Sequence, residues 1–225
     1  MWDLAPQCVG AAPDREDALL AVDEPALASS RPATNPWEVA VSAPGGGAVT
    51  IAVVASDDLS AAVRRELRTL WRHAFGDRFD DHDAAHAYGG VHVLAYDGDR
   101  LVGHASAVPR QIRFGEEPWR TVGYVEAVAT EPEHQGQGIG RRMMQGLHAE
   151  IASRWPVALL STGRATRFYA ALGWEQWRGL SYTATATAVV PDDEHGGLMI
   201  LRLNPFVVSD LSTTVTCEDR AGDAW

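Results

Sequence analysis

From residue 49 onward, the apolar positions fall into short β-branched runs alternating with stretches of four-residue periodicity. Residues 49–54 read as a first strand. Leu59, Val63, Leu67 and Trp71 then step by four along the inward face of a helix that Asp57 or Asp58 caps. A loop dense in carboxylates spans residues 75–83 and ends near Gly89 and Gly90. Residues 91–96, a turn at 97–100 and residues 101–108 carry a hairpin signal. A further extended segment at 110–114 turns through Gly115 to Pro118 into a long Val-rich strand at 122–130, which Pro132 ends. Ile139, Met143, Leu147 and Ile151 recur at four-residue spacing as one buried helix face. There follow a short buried strand at 156–161, a helix at 163–172 stopped by Gly173 and Trp174, and a strand-like stretch at 182–190. A turn at 191–197 and a strand at 198–203 come next, and residues 217–225 form a short polar tail. Hairpins first, then strands alternating with helices, predict an α/β (α+β) fold with a mixed central β-sheet flanked by helices.

Residues 1–47 sustain no such rhythm. They are rich in Ala and Pro and end in three glycines, so they read as an N-terminal extension, disordered or loosely packed, ahead of one domain at 48–225. The 46% hydrophobic content suffices for a core, and the formal charge of −11 disfavours nucleic acid, whose phosphates need basic patches. No apolar run reaches the roughly 18–20 residues that span a bilayer. The first residues lack the basic start and apolar stretch of a signal peptide, which predicts a cytoplasmic protein with no membrane partner. Cys8 and Cys217 are the only cysteines, and no disulfide framework is expected.

The chemistry concentrates between the Val-rich strand and the helix after it. Gly136, Gly138 and Gly140 clear side chains from the N–H groups at the helix start, a natural cradle for a pyrophosphate. A P-loop would need Lys and Ser/Thr after the last glycine, but Arg141 and Arg142 stand there. A dinucleotide fingerprint would need different glycine spacing directly after the strand, and an acidic residue further on than Glu150. Glu126 sits mid-strand among Val, Ala and Tyr, where strict alternation puts it on the face of Tyr124 and Val128. A carboxylate there must be paired, hydrated or facing a cleft. It is a general base or half of a structural ion pair with an arginine. His82 and His86 lie four apart near acidic residues, without a metalloprotease pattern, and read as solvated loop residues.

Gln135-x-x-Gly138-x-Gly140, the upstream Val125-Glu-Ala-Val-Ala-Thr130 and the later Tyr169-x-x-x-Gly173-Trp174 together resemble the GNAT acetyltransferase superfamily, over about residues 49–190. Gly89-Gly-Val-His92, Val122-Gly-Tyr-Val-Glu-Ala127 and the closing Cys217-Glu-Asp-Arg-Ala-Gly-Asp-Ala-Trp225 resemble the aminoglycoside 2'-N-acetyltransferases within it, over about 51–225. The resemblance implies a GNAT fold with acyl-CoA in the splay between the fourth and fifth strands. It implies transfer of acetyl from acetyl-CoA to an aminoglycoside 2'-amine by direct attack in a ternary complex, conferring antibiotic resistance. No metal is implied, and a homodimer is the superfamily habit.

Carried over residue by residue, Glu126 becomes the base, and Tyr169 the acid that protonates the departing thiolate; a core tyrosine packed on Trp174 is its other reading. The backbone of Gln135, Gly136, Gln137, Gly138, Ile139 and Gly140 holds the pyrophosphate, with Arg141 or Arg142 near a phosphate. Val128, Ala129 and Thr130 pair with the pantetheine, the Val128 N–H being the first choice for the oxyanion. Asp77, Glu126, Ser161, Asp192, Asp193, Asp223 and the Trp225 carboxylate face the cationic substrate. Two departures stand out. Arg78 precedes Phe79 where the family has Asp, so that Asp77 or Asp80 substitutes or the sugar binds differently at that end, and the chain from Ser161 to Tyr169 is about one residue short. The alternatives are a GNAT enzyme acting on another amine, such as a polyamine or cell-wall amino sugar, and a non-catalytic acyl-CoA- or aminoglycoside-binding protein.

Overall fold

The computed structural model describes residues 49–192, 197–205 and 207–225; residues 1–47 and Asp193 lie outside them. The elements follow one another as β1 (Val49–Ala55), α1 (Ala61–Phe75), α2 (Asp81–His86), β2 (Val91–Asp97), β3 (Arg100–Phe114), β4 (Arg120–Thr130), α3 (Ile139–Arg154), β5 (Val157–Ser161), α4 (Thr166–Ala170), β6 (Glu175–Gln176), β7 (Ser181–Ala184), β8 (Val189–Pro191), β9 (Leu198–Arg202) and β10 (Val215–Glu218). The strands form one mixed sheet in the order β6-β9-β5-β4-β3-β10-β7-β8, with β2 on β3 and β1 on β2. The predicted mixed sheet with flanking helices is therefore present. Among the described residues no helix is long and apolar enough to cross a membrane.

The long strand β3 organises the sheet. On one edge it pairs with β4 from Gly103 to Ile112, and on the other it pairs first with β2 and then, from Ile112 to Phe114, with β10. One face of the sheet buries Ala105, Val125, Ala158 and Met199 against Met143, Met144, Leu147 and Ile151 of α3. The opposite face carries two clusters. Leu67, Leu70 and Trp71 of α1 pack with Leu94 and Leu101, while Val108, Tyr124, Leu159 and Trp225 pack with Val215 and Cys217.

Several local expectations need correction. The cap of α1 is Ser60, whose hydroxyl accepts the Val63 N–H at 3.2 Å; Asp57 and Asp58 sit in a preceding short 3-10 turn. Ser caps as well as Asp does, and here Ser60 is the residue with extended backbone one step before the helix. The acidic stretch read as loop contains α2, because Asp80 accepts from the His82 and Asp83 N–H groups while Asp83 returns a bond to the Asp80 N–H. The α4 helix covers only Thr166–Ala170. The stretch at 182–190 is not one strand: β7 and β8 pair antiparallel around a turn in which Thr185 bonds both the N–H and the carbonyl of Ala188. The supposed polar tail begins inside β10, which lies parallel to β7 and antiparallel to β3.

Candidate active site

Two irregularities in β4 create an opening in the sheet. The first is its short contact with β5: the strands pair in parallel only at Gly123↔Ala158 and Tyr124↔Leu159, and then part. The second is a bulge. Opposite β3 the register jumps from Ser106↔Glu126 to His104↔Ala129, so Ala127 and Val128 face the single residue Ala105. Ala127 has φ +50°, the left-handed region that residues with a Cβ adopt only under constraint. The extra residue resets the alternation. Val128 packs with the cluster that holds Val125, on the α3 side, while Ala127 and Ala129 pack on the side of α1. The expectation of Val128 on the face of Glu126 is thus corrected, since it assumed an unbroken period of two.

Glu126 faces the side opposite α3 and is held by a group from the far end of the chain. Its Oε1 accepts from Nη1 of Arg220 at 2.6 Å, and both side chains are 14% exposed. Burial raises the Glu126 pKa above its ordinary 4.5, and the Arg220 charge and hydrogen bond oppose that rise. The guanidinium of Arg220 also lies over the Tyr124 ring, as does that of Arg110, with centroid distances of 5.7 and 5.4 Å. Arg110 is 5% exposed and clamps the segment after β10, donating to the carbonyls of Glu218 at 2.8 Å and Ala224 at 3.0 Å. The same segment turns at Gly222, where φ is +82° and an added Cβ would sit 2.7 Å from the His82 Cβ. His86 donates from Nε2 to the Ala221 carbonyl at 2.7 Å. His82 and His86 are therefore helix residues against which the last segment docks, rather than loop residues, although His82 remains exposed. A cavity of about 260 Å³ lined by His86, Tyr88, Arg110, Glu218 and Arg220 adjoins this cluster. A larger one between α1 and the β2–β3 turn meets none of the candidate residues.

At the other end of β4, the backbone bends through a 3-10 turn at Pro132–His134 into the glycines. Gly136 and Gly138 have φ of +75° and +79°, and Gly138 is the N-cap of α3 without any side-chain cap bond. A helix start left uncapped and exposed suits an anion. Gln135 and Gln137 bond inward instead, from Nε2 to the carbonyls of Thr130 and Glu133. Of the two arginines, Arg142 donates to the Val49 carbonyl at 2.7 Å, which leaves Arg141 as the exposed one.

The remaining candidates divide. Asp223 and Trp225 are brought near Glu126 by Arg220, which donates from Nε to the Asp223 carbonyl at 2.7 Å; the Asp223 carboxylate accepts the Trp225 N–H, and Trp225 is buried. Asp77 is exposed in the 3-10 turn before α2, and Asp80 is committed to the helix cap. Asp192 accepts from the Thr183 hydroxyl at 3.1 Å and so braces β7. Ser161 ends β5 opposite Leu198. Tyr169 is buried on the α3 side, edge-on to Phe168 and Trp174 at 5.1 and 6.0 Å, and burial raises its pKa. Arg110 and Arg220 were not singled out from the sequence. An arginine inside the C-terminal motif was the available signal for Arg220, and Arg110 gave none.

The match of residues 57–177 to the acetyltransferase (GNAT) domain identifies the class: the chain belongs to the GNAT family and is an acetyl-CoA-dependent N-acetyltransferase. It is 33% identical to the aminoglycoside 2'-N-acetyltransferase of Mycolicibacterium fortuitum over 193 residues, covering 82% of this chain and 97% of that one. The GNAT family N-acetyltransferase YhbS from Escherichia coli, solved in complex with CoA, shares the fold at a TM-score of 0.55 and 15% identity, over 84% of this chain and 97% of that chain. Eis1 from Mycobacterium abscessus matches at 0.50 and 18% identity, over 60% of this chain but 33% of that chain.

Proposed function

We propose that the protein transfers acetyl from acetyl-CoA to the 2'-amino group of aminoglycoside antibiotics, in a ternary complex, and that this activity confers resistance to them. The observation that carries the reading is Glu126, a mostly buried carboxylate beside the opening between β4 and β5, balanced by a guanidinium that a substrate ammonium can replace. The 33% identity to an aminoglycoside 2'-N-acetyltransferase over nearly all of that protein supports the choice of amine.

Acetyl-CoA supplies an activated thioester. The N–H groups of residues 135–140 would hold its pyrophosphate, and the backbone of Val128, Ala129 and Thr130 its pantetheine arm. Glu126 takes a proton from the ammonium, through water, and its raised pKa makes it a better base than a surface carboxylate. The free amine attacks the carbonyl carbon as the C–N bond forms, and the Val128 N–H meets the oxyanion. The C–S bond then breaks; Tyr169, whose raised pKa keeps it protonated, donates to the thiolate and is reprotonated, through water, by the second proton that the nitrogen sheds as it becomes the amide. Asp223 and Asp77 offer carboxylates to the other ammonium groups.

A second reading has one specific observation behind it. Arg110 and Arg220 put two guanidinium groups on the acceptor side, which suits an amino sugar that also carries an anionic group. Thiol release from acetyl-CoA with a panel of matched 2'-amino and 2'-hydroxy aminoglycosides separates the readings. Release with the 2'-amino members only is expected. Equal release with both would remove the 2'-amine as the acceptor, release only with acidic amino sugars added to the panel would remove the aminoglycoside assignment, and no release with any amine would leave only binding.

A further inference from the structure

Ser56, His92 and His104 form a chain of buried polar groups that no step above uses. The Ser56 hydroxyl oxygen lies 2.8 and 3.0 Å from the N–H nitrogens of Gly89 and Gly90, and 2.7 Å from His92 Nε2. His92 Nδ1 lies 2.9 Å from His104 Nε2, and His104 Nδ1 lies 2.8 Å from the carbonyl oxygen of Ala127.

The ends of the chain fix the direction of donation. Two backbone N–H groups can only donate, so they occupy both lone pairs of the Ser56 oxygen, and its proton goes to His92 Nε2. Burial lowers the pKa of His92 to about 4 and of His104 to about 3, so both rings are neutral. A neutral His92 accepting at Nε2 carries its proton on Nδ1 and donates to His104 Nε2. His104 then carries its own on Nδ1 and donates to the Ala127 carbonyl, which can only accept. The Trp71 indole N–H, 3.1 Å from His104 Nδ1, opposes this direction. Reversal, however, would put three donors on one hydroxyl and aim an imidazole lone pair at a carbonyl oxygen 2.8 Å away. One conflict at the longer distance is the milder outcome.

The chain ends on the peptide that makes the bulge. In a trans peptide the C=O and N–H point in opposite directions. Fixing the Ala127 oxygen on His104 of β3 therefore fixes the opposite direction for the Val128 N–H, in the part of β4 beyond its pairing with β5. A donor on the carbonyl also polarises the peptide and strengthens its N–H as a donor. We propose that His104, oriented by His92 and Ser56, is a positioning residue that aims the Val128 N–H at the reacting carbonyl. The inference rests on the reading of Val128 as the oxyanion donor.

Its test uses the full chain with His104→Leu, which removes the donor, and His104→Asn, which returns an N–H close to the position of Nδ1. In the ligand-free wild type, nitrogen-15 shifts should report both imidazoles as Nδ1–H tautomers at neutral pH, and the Val128 amide signal should move in His104→Leu and return in His104→Asn. His104→Leu should lower kcat about 10- to 100-fold while KM for acetyl-CoA changes less than about threefold, and His104→Asn should recover most of it. An Nε2–H tautomer at His104, or a Val128 amide indifferent to His104→Leu, would overturn the proposal, as would equal losses of kcat in the two variants that follow their melting temperatures. If the amide moves while kcat does not, the relay stands and the oxyanion role of Val128 falls instead. Should His104→Leu not fold, Ser56→Ala asks the same question, with a shifted tautomer and a moved Val128 amide expected and unchanged signals contradicting the relay.

Discussion

Glu126 was legible as a mid-strand carboxylate that needed a partner or a cleft, and the structure gives it both. The base reading and the ion-pair reading are compatible, because the Arg220 charge opposes the effect of burial and favours the ionised carboxylate. The pH dependence follows from the sign of the shift. Glu126 must be ionised to act, and burial raises its pKa above 4.5, so kcat/KM should fall with acidification at a higher pH than a surface carboxylate would give. Glu126→Gln should lower kcat/KM about 100-fold or more near neutral pH and abolish that acid limb. Arg220→Met removes an opposing cation, raises the Glu126 pKa further and should move the limb to higher pH. A limb that stays in place or moves down in a pH–rate profile would contradict the assignment. What the sequence could not reveal at this scale is the partner, 94 residues away, or the bulge at Ala127, whose left-handed backbone falls on an Ala instead of the Gly or Asn that would have signalled it.

At the scale of elements, the four-residue steps of α1 and α3 and the Val-rich β4 emerge at nearly their expected limits, because each has one buried face long enough to show a period. Short elements were legible only where they form an apolar run, as in β5 and β9; α2 and β10 were not. The short α2 is set by a capping box that reads as an acidic loop, and β10 is only four residues long, paired with strands distant in sequence. The cap of α1 offers a direct check. Ser60→Ala should cost about 1 kcal/mol in urea unfolding, whereas Asp57→Ala and Asp58→Ala should stay within about 0.5 kcal/mol. The reverse order would return the cap to the aspartates.

Across the whole molecule, the site draws on residues from four separated stretches. The strand and glycine turn at 122–140 were legible from local pattern, whereas the wall opposite them arrives when β10 carries residues 219–225 across the face of β3 and β4, locked by Arg110 and seated on α2. Resemblance, not periodicity, pointed to that segment, since its work lies in long-range contacts. Of the expected acidic wall, Arg220 ties the Asp223 backbone to Glu126 and the Asp223 carboxylate accepts the Trp225 N–H, Asp80 and Asp192 each make a bond within the fold, and Asp193 lies outside the described residues. The central claim is that this assembly presents one particular amine to the thioester. The most direct test is to locate the acetyl group by NMR on the product formed from tobramycin and acetyl-CoA. Acetylation at the 2' nitrogen alone, lost in Glu126→Gln, is the predicted result; acetyl on any other nitrogen, or an unchanged rate in that variant, would contradict it.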